Sequence, residues 1–314
     1  MYKMGIDLGG TNIAIGIVDE NNMIIHRISK PTCLPDSPEN IVGRIFFAAK
    51  ECMAKAGLVV EDISTIGIGS PGAIDSENGI ILFSNNFQYK NVPLGQMLSE
   101  KFGKTVYCEN DANAAAFGEY LVGDRSKGDT LVAITIGTGI GAGVIIGGKL
   151  YSGNRFSGGE LGHMVINFSG LPCNCGRRGC YEVYASATAL IRQTKEAMQN
   201  DHQSKMWQLC EGNIQNVTGK TAFDGSRIND KTAKAVIEQY ADYVAIGLVD
   251  IINSFGPAVI CISGGISQEN EYLLEPLRRH IEMNKPINCH TEVRVAVLNN
   301  DAGIVGAANL DLLK

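Results

Sequence analysis

Gly5-Ile6-Asp7-Leu8-Gly9-Gly10-Thr11-Asn12-Ile13-Ala14-Ile15-Gly16-Ile17-Val18-Asp19 is the first patterned stretch of the chain. Apolar residues on both sides of a Gly-Gly-Thr turn predict strand, glycine turn, strand. The pattern returns as Val132-Ala-Ile-Thr-Ile-Gly-Thr-Gly-Ile-Gly-Ala-Gly-Val-Ile-Ile146. At an offset of 128 positions, Ile6, Leu8, Gly9, Ala14 and Ile17 face Ile134, Ile136, Gly137, Ala142 and Ile145. A second echo pairs the apolar run Ile63 to Gly69, which stops at Ser70-Pro71-Gly72, with Ala258 to Ser263, which stops at Gly264-Gly265. Two such correspondences in one order predict a sheet-based unit built twice.

Helical spacing fills the intervals. Ile41, Ile45, Phe46, Ala49 and Met53 predict a helix over 38–56, stopped by Gly57. Further helices are expected at 94–102, 111–120, 185–198, 232–255 and 272–283, with a closing helix in 301–313. Strands are expected at 23–29 and 105–109. The polar stretch 200–230 has the weakest pattern and reads as a helical insertion. Strands alternating with helices predict an α/β protein.

The chain has 314 residues, 45% hydrophobic content and a formal net charge of −6. That is enough for a large core and gives no basic footprint for nucleic acid. No apolar run reaches the roughly 18 residues of a membrane span. The short lead before Gly5 leaves no room for a signal peptide, and an odd count of nine cysteines suits a reducing, cytoplasmic setting.

Three glycine turns follow apolar strands. At Gly9-Gly10-Thr11 and Gly137-Thr138-Gly139, backbone N–H groups without neighbouring side chains can line up on phosphate oxygens. Asp7 beside the first turn suits hydrated Mg²⁺. Gly264-Gly265 can pass beneath a nucleotide. The chain has neither a Walker A pattern nor the protein-kinase loop series, which excludes both of those families.

His163, Cys173, Cys175 and Cys180 form a second constellation. Three thiolates and an imidazole make a closed tetrahedral Zn²⁺ set, and a filled set is structural rather than hydrolytic. The loop it would lock carries Glu160, His163 and Glu182. Acids and amides recur at Glu109-Asn110-Asp111-Ala112-Asn113, where a strand ends and a helix begins. Asp111 has two readings there: a helix N-cap, or a reactive carboxylate at the strand end where α/β sheets place ligands. Carboxylates and amides with few bases suit a neutral polyhydroxyl ligand.

These motifs together resemble the ROK family. The resemblance rests on Asp7-x-Gly-Gly-Thr11, Glu109-Asn-Asp-Ala-Asn113, Ile136-Gly-Thr-Gly-Ile-Gly141, Gly159-Glu-Leu-Gly-His163, Cys173-Asn-Cys-Gly-Arg-Arg-Gly-Cys-Tyr-Glu182 and Ser263-Gly-Gly265. Tyr184-Ala-Ser-Ala-Thr188 is similar to its glucokinase branch. The resemblance implies a duplicated actin/hexokinase-like ATPase fold with two lobes and a central cleft. A small N-terminal lobe over 1–113, completed by a C-terminal helix near 299–314, and a large lobe over 114–298 with the zinc knuckle are expected. It implies ATP, Mg²⁺ and structural Zn²⁺ as cofactors, a hexose as substrate, and a homodimer or homotetramer.

Carried over by position, Asp111 is the catalytic base. Gly72, Asn86, Asn110, Asp111, Glu160, His163 and Glu182 bind the sugar, with one nitrogen of His163 on zinc and the other on a hydroxyl. Asp7, Gly9, Gly10, Thr11, Gly137, Thr138, Gly139, Gly264 and Gly265 fall at the nucleotide. Ser84-Asn85-Asn86-Phe87 departs from the family's Pro-Asn-Leu-like stretch. Phosphorylation of glucose on its 6-hydroxyl is the expected activity. Phosphorylation of N-acetylmannosamine, fructose, mannose or allose is the alternative. The family's sugar-responsive repressors carry a DNA-binding domain ahead of the first strand, and here the acidic charge and short lead argue against that role and against nucleic acid as a partner.

Overall fold

The computed structural model describes residues 1–123, 125–286 and 289–314. The opening motif forms β1 (Tyr2–Leu8) and β2 (Asn12–Val18), an antiparallel pair in which Asp7 lies opposite Ala14. With β3 (Ile24–Pro31), β4 (Ile63–Ser70) and β8 (Val106–Asn110) they make a five-stranded sheet of order β3-β2-β1-β4-β8. β4 and β8 run parallel to β1 and each other. A three-stranded sheet of β5 (Ala73–Asp75), β6 (Ile80–Ser84) and β7 (Tyr89–Val92) lies between β4 and β8 in the chain. Sequence periodicity does not reveal it, because its strands are only three to five residues long.

The repeated motif forms β9 (Leu131–Ile136) and β10 (Ile140–Ile146). With β11 (Lys149–Leu150), β12 (Val259–Ser263) and β13 (Glu292–Val295) they give the order β11-β10-β9-β12-β13. The outer pairs match the first sheet: antiparallel at one edge, parallel at the other. The duplication read from the sequence is therefore a duplication of strand order.

The helices follow their sequence signals. α1 (Pro38–Lys55) starts on Ser37, whose hydroxyl accepts from the Asn40 N–H, with Pro38 in the first turn. α2 (Leu94–Phe102) ends at left-handed Gly103, and α3 (Asp111–Val122) follows β8 directly. α4 (Glu182–Ala185), α5 (Ala187–Asn200), α6 (Met206–Leu209), α7 (Thr221–Arg227), α8 (Lys231–Phe255) and α9 (Glu271–Asn284) follow. The weakly patterned 200–230 stretch is indeed helical in part, as α6 and α7. α10 (Ala302–Ala308) closes the fold.

Two compact units emerge. The first comprises Met1–Ala133, Gly143–Gly159 and Val297–Lys314; the second comprises Ile134–Ala142 and Glu160–Ala296. In the first, β1, β2, β4, α1 and α2 bury an isoleucine-rich core containing Ile6, Ile15, Ile41, Ile45, Ile66 and Ile68. α10 packs on β1, β4 and α3 so closely that only glycine fits at the contact: a Cβ on Gly306 would lie 1.7 Å from the Ala114 carbonyl oxygen. Gly306→Ala should therefore force the two helices apart and cost about 3 kcal/mol, seen as a Tm drop on the order of 6–12 °C. Gly43→Ala, inside α1 with open space around it, is the control and should be neutral or slightly stabilising. Equal melting of the two variants would refute the close-approach argument.

Candidate active site

In the first unit the sheet edge formed by the carboxyl ends of β1, β4 and β8 gathers one set of candidate residues. Register aligns Asp7 with Gly69 and Gly69 with Glu109. A Cβ on Gly69 would approach the Asp111 Cα to 3.3 Å, so the bare backbone there admits the start of α3 beside β4. Asp7 and Asp111 consequently sense each other. Burial, and then the Asp111 charge, push the Asp7 carboxyl up to about 6. Gly303 in α10 backs Asp7, since a Cβ there would lie 3.0 Å from its carboxylate.

The Gly9-Gly10-Thr11 turn is held by its outward-facing carbonyls. The Gly9 oxygen accepts the Thr32 hydroxyl (2.7 Å) and the Thr11 oxygen accepts the Thr32 N–H (2.8 Å). Thr11 itself is exposed. Asn86 sits against this turn, its Nδ2 3.5 Å from where a Gly10 Cβ would be.

Asn110 decides between the two readings of Asp111. Its Oδ1 accepts the N–H groups of Ala112 (2.9 Å) and Asn113 (3.1 Å), so Asn110 is the N-cap of α3. The cap reading of Asp111 is corrected accordingly: Asp111 occupies the first helical position, where its Oδ1 accepts the adjacent Ala112 N–H at 2.9 Å. The Asn110 Nδ2 donates to the Gly72 carbonyl at 3.0 Å, and Gly72 adopts φ +117° against the Phe83 backbone. Asn110, assigned to sugar from its motif, thus also caps α3 and ties the strand end to Gly72.

In the second unit the Gly137-Thr138-Gly139 turn links β9 to β10, and Gly264-Gly265 follows the neighbouring β12. Gly264, at φ +92°, passes so near β9 that a Cβ would fall 2.2 Å from the Ile136 oxygen. The two turns therefore share one sheet end, with Thr135 and Ser263 hydroxyls 2.9 Å apart beneath them. Thr138 is exposed, and nothing stands within 4 Å of a Gly265 Cβ.

The knuckle residues converge in the same unit. Candidate ligand atoms of His163, Cys173, Cys175 and Cys180 all lie within 4.8 Å of one another. The Cys175 and Cys180 sulfurs are 3.6 Å apart, and the Cys173 sulfur is 3.7 Å from His163 Nδ1. A tetrahedral ion with Zn–S near ~2.3 Å and Zn–N near ~2.0 Å has edges of about 3.5–3.8 Å, so the donors fit zinc. Burial pushes the Cys173 thiol up to about 12, whereas the Arg177 backbone N–H, then its guanidinium, bring Cys175 down to about 6. Nδ1 faces the sulfurs, which leaves Nε2 for another partner. Glu160 is exposed one short turn from His163, whose N–H donates to its carbonyl at 3.0 Å.

Glu182 bridges the two features of this unit. One carboxylate oxygen lies 3.0 Å from the Cys173 sulfur and 3.5 Å from His163 Nδ1. The other accepts the Ile140 N–H at 3.4 Å and would meet a Gly139 Cβ at 2.5 Å. Motif reading missed this link, and it missed Gly303. Both depend on contacts between residues far apart in the chain.

Residues 3–312 match the ROK family. The chain is 39% identical over 310 residues to the glucokinase of Thermotoga maritima, covering 98% of this chain and 96% of that one. It is 30% identical over 305 residues to the xylose repressor of Caldicellulosiruptor bescii, covering 96% of this chain and 76% of that one. The crystal structure of a ROK family glucokinase from Streptomyces griseus in complex with glucose and AMPPNP matches it with a TM-score of 0.83 at 35% identity, over 99% of each chain. The twinned sheets are those of the actin/hexokinase-like ATPase fold. The chain belongs to the ROK family.

Proposed function

We propose that this protein phosphorylates a hexose, glucose first, on its 6-hydroxyl at the expense of ATP. The observation that carries the reading is the placement of Asp111: beside the Asn110 cap rather than serving as it, at the start of α3, on the sheet edge that also presents Asp7 and the Gly9–Thr11 turn. The glucokinases of Thermotoga maritima and Streptomyces griseus support glucose as the acceptor.

Asp111 accepts a hydrogen bond from the sugar 6-hydroxyl and takes its proton as that oxygen bonds to the γ-phosphorus of ATP, while the bond from that phosphorus to the bridging oxygen breaks and ADP leaves. The N–H groups of Gly10, Thr11 and Gly265 and the hydroxyls of Thr11 and Thr138 orient phosphate oxygens. Asp7 holds the hydrated cation. Glu160, Glu182, His163 Nε2, Asn110, Asn86 and Gly72 are the residues that bind the sugar. When bound, Mg·ATP supplies the phosphoryl group and the divalent charge that neutralises it.

Initial rates with a panel of hexoses test the reading. Glucose should give the highest kcat/KM, and 6-deoxyglucose should bind without reacting. An N-acetylated hexosamine that beats glucose tenfold would replace the substrate and keep the kinase. Similarity to the xylose repressor raises a DNA-binding alternative, which a sugar-dependent mobility shift on the organism's own promoter DNA would reveal.

His163, Cys173, Cys175 and Cys180 would hold one Zn²⁺ as a structural clamp. Elemental analysis should find one zinc per chain. Cys175→Ser should lose the metal and weaken glucose binding on the order of tenfold or more, because the clamp positions Glu160, His163 and Glu182. Active protein without zinc would refute the assignment.

A further inference from the structure

Glu109 is an acid that the proposed reaction does not use. It is only 5% exposed, and burial raises its carboxyl above the usual range. An apolar residue would fill this place without the desolvation cost of a carboxylate. The carboxylate instead organises the junction between β8 and α3. One oxygen accepts both the Asn110 N–H (2.8 Å) and the Asn113 Nδ2 N–H (3.0 Å). Asn113 is itself buried, and its backbone N–H returns to Asn110 Oδ1. Glu109, Asn110 and Asn113 thus close a ring of hydrogen bonds across the first turn, which carries Asp111 and Ala112 between the two amides. Asn110 anchors the same ring to Gly72.

We propose that Glu109 is a positioning residue for Asp111, its buried carboxylate clamping the first turn of α3 so that the Asp111 side chain is held toward the sugar hydroxyl. This rests on Asp111 being the base, as argued above. A displacement of about 1 Å at a reacting group can cost on the order of 10² in rate. Such a loss falls on kcat while sugar affinity, carried by other side chains, stays.

Three variants, read by kinetics, melting and hydrogen exchange, test it. Glu109→Leu should lower kcat about 30- to 100-fold and change glucose KM less than about threefold. Glu109→Gln keeps an acceptor for Asn110 and Asn113 and should recover kcat to within about fivefold of wild type. Glu109→Leu/Asn113→Leu removes both partners of the buried pair, so its Tm should stay near wild type while kcat remains as low as in the single variant. Hydrogen exchange supplies a readout independent of activity. The amides of Ala112 and Asn113 should exchange about tenfold faster in Glu109→Leu and in the double variant, but not in Glu109→Gln. Normal kcat in the stable double variant, or unchanged exchange at 112–113, would overturn the proposal. A wild-type enzyme inactive on every hexose would instead overturn the kinase reading, and the exchange pattern would still decide whether Glu109 clamps the turn.

Discussion

Asp111→Asn should lower kcat by about 10²–10⁴ while glucose Kd and Tm stay close to wild type. The substitution keeps the size of the side chain and its ability to meet the sugar hydroxyl, but removes the oxygen that takes a proton. Stability should survive because Asp111 is not the cap of its helix. Asn110 already satisfies the Ala112 and Asn113 N–H groups, and an Asn at 111 keeps an oxygen for the local Ala112 contact. Loss of a true cap costs about 1 kcal/mol and would show as a Tm drop in Asn110→Ala instead. Measuring kcat, Kd and Tm on both variants separates chemistry at one residue from capping at its neighbour. Near-normal turnover in Asp111→Asn would remove Asp111 as the base.

Asp7→Asn should abolish nearly all turnover and at the same time stabilise the free protein at alkaline pH. The folded carboxyl sits at about 6, raised first by burial and then by Asp111, against an unfolded value near ~3.9. For a raised acid, the stability contribution is fully present below the unfolded value and is lost as pH rises through about 6. Wild type therefore carries a penalty on the order of 2–3 kcal/mol at pH 8 that the Asn variant lacks. The variant should melt higher than wild type at pH 8 and together with it near pH 3.5. The stability is forgone because a cation needs the charge: turnover should fall by at least about 100-fold, and excess EDTA should silence the wild type. Equal melting at pH 8 would refute the buried, repelled carboxylate. Full activity in EDTA would refute the divalent cation.

The residues that carry local pattern were legible from the chain. Alternation around Gly9-Gly10 and Gly137-Thr138-Gly139 predicts β1–β2 and β9–β10, and the offset between them anticipates matching strand orders. The spacing over 38–56 and the stop at Gly57 mark α1 because periodicity and helix termination involve only neighbours a few residues away. The cysteine spacing points to a metal because a tight loop must bring those sulfurs together. The sheet β5–β7 was not legible, since three-residue strands leave no period to read.

By itself, then, the sequence determined the strand–turn–strand units, their repetition, the spacing of the His163/Cys173/Cys175/Cys180 cluster and the presence of an acid at the end of β8. The units, the cluster and the acid follow from patterns within short stretches of chain, and the repetition follows from comparing two such stretches. Only the tertiary structure decided that Asn110 rather than Asp111 caps α3, because that choice depends on the Gly72 carbonyl and the buried Glu109 around it. Only the fold sets Asp7 beside Asp111 and backs it with Gly303, contacts that span about a hundred and about three hundred residues. Such contacts are set by β4 lying between β1 and β8 and by α10 returning onto the first sheet. No local propensity encodes them: they arise when distant apolar faces are buried together, and the polar groups at the sheet edge take the neighbours that burial leaves them.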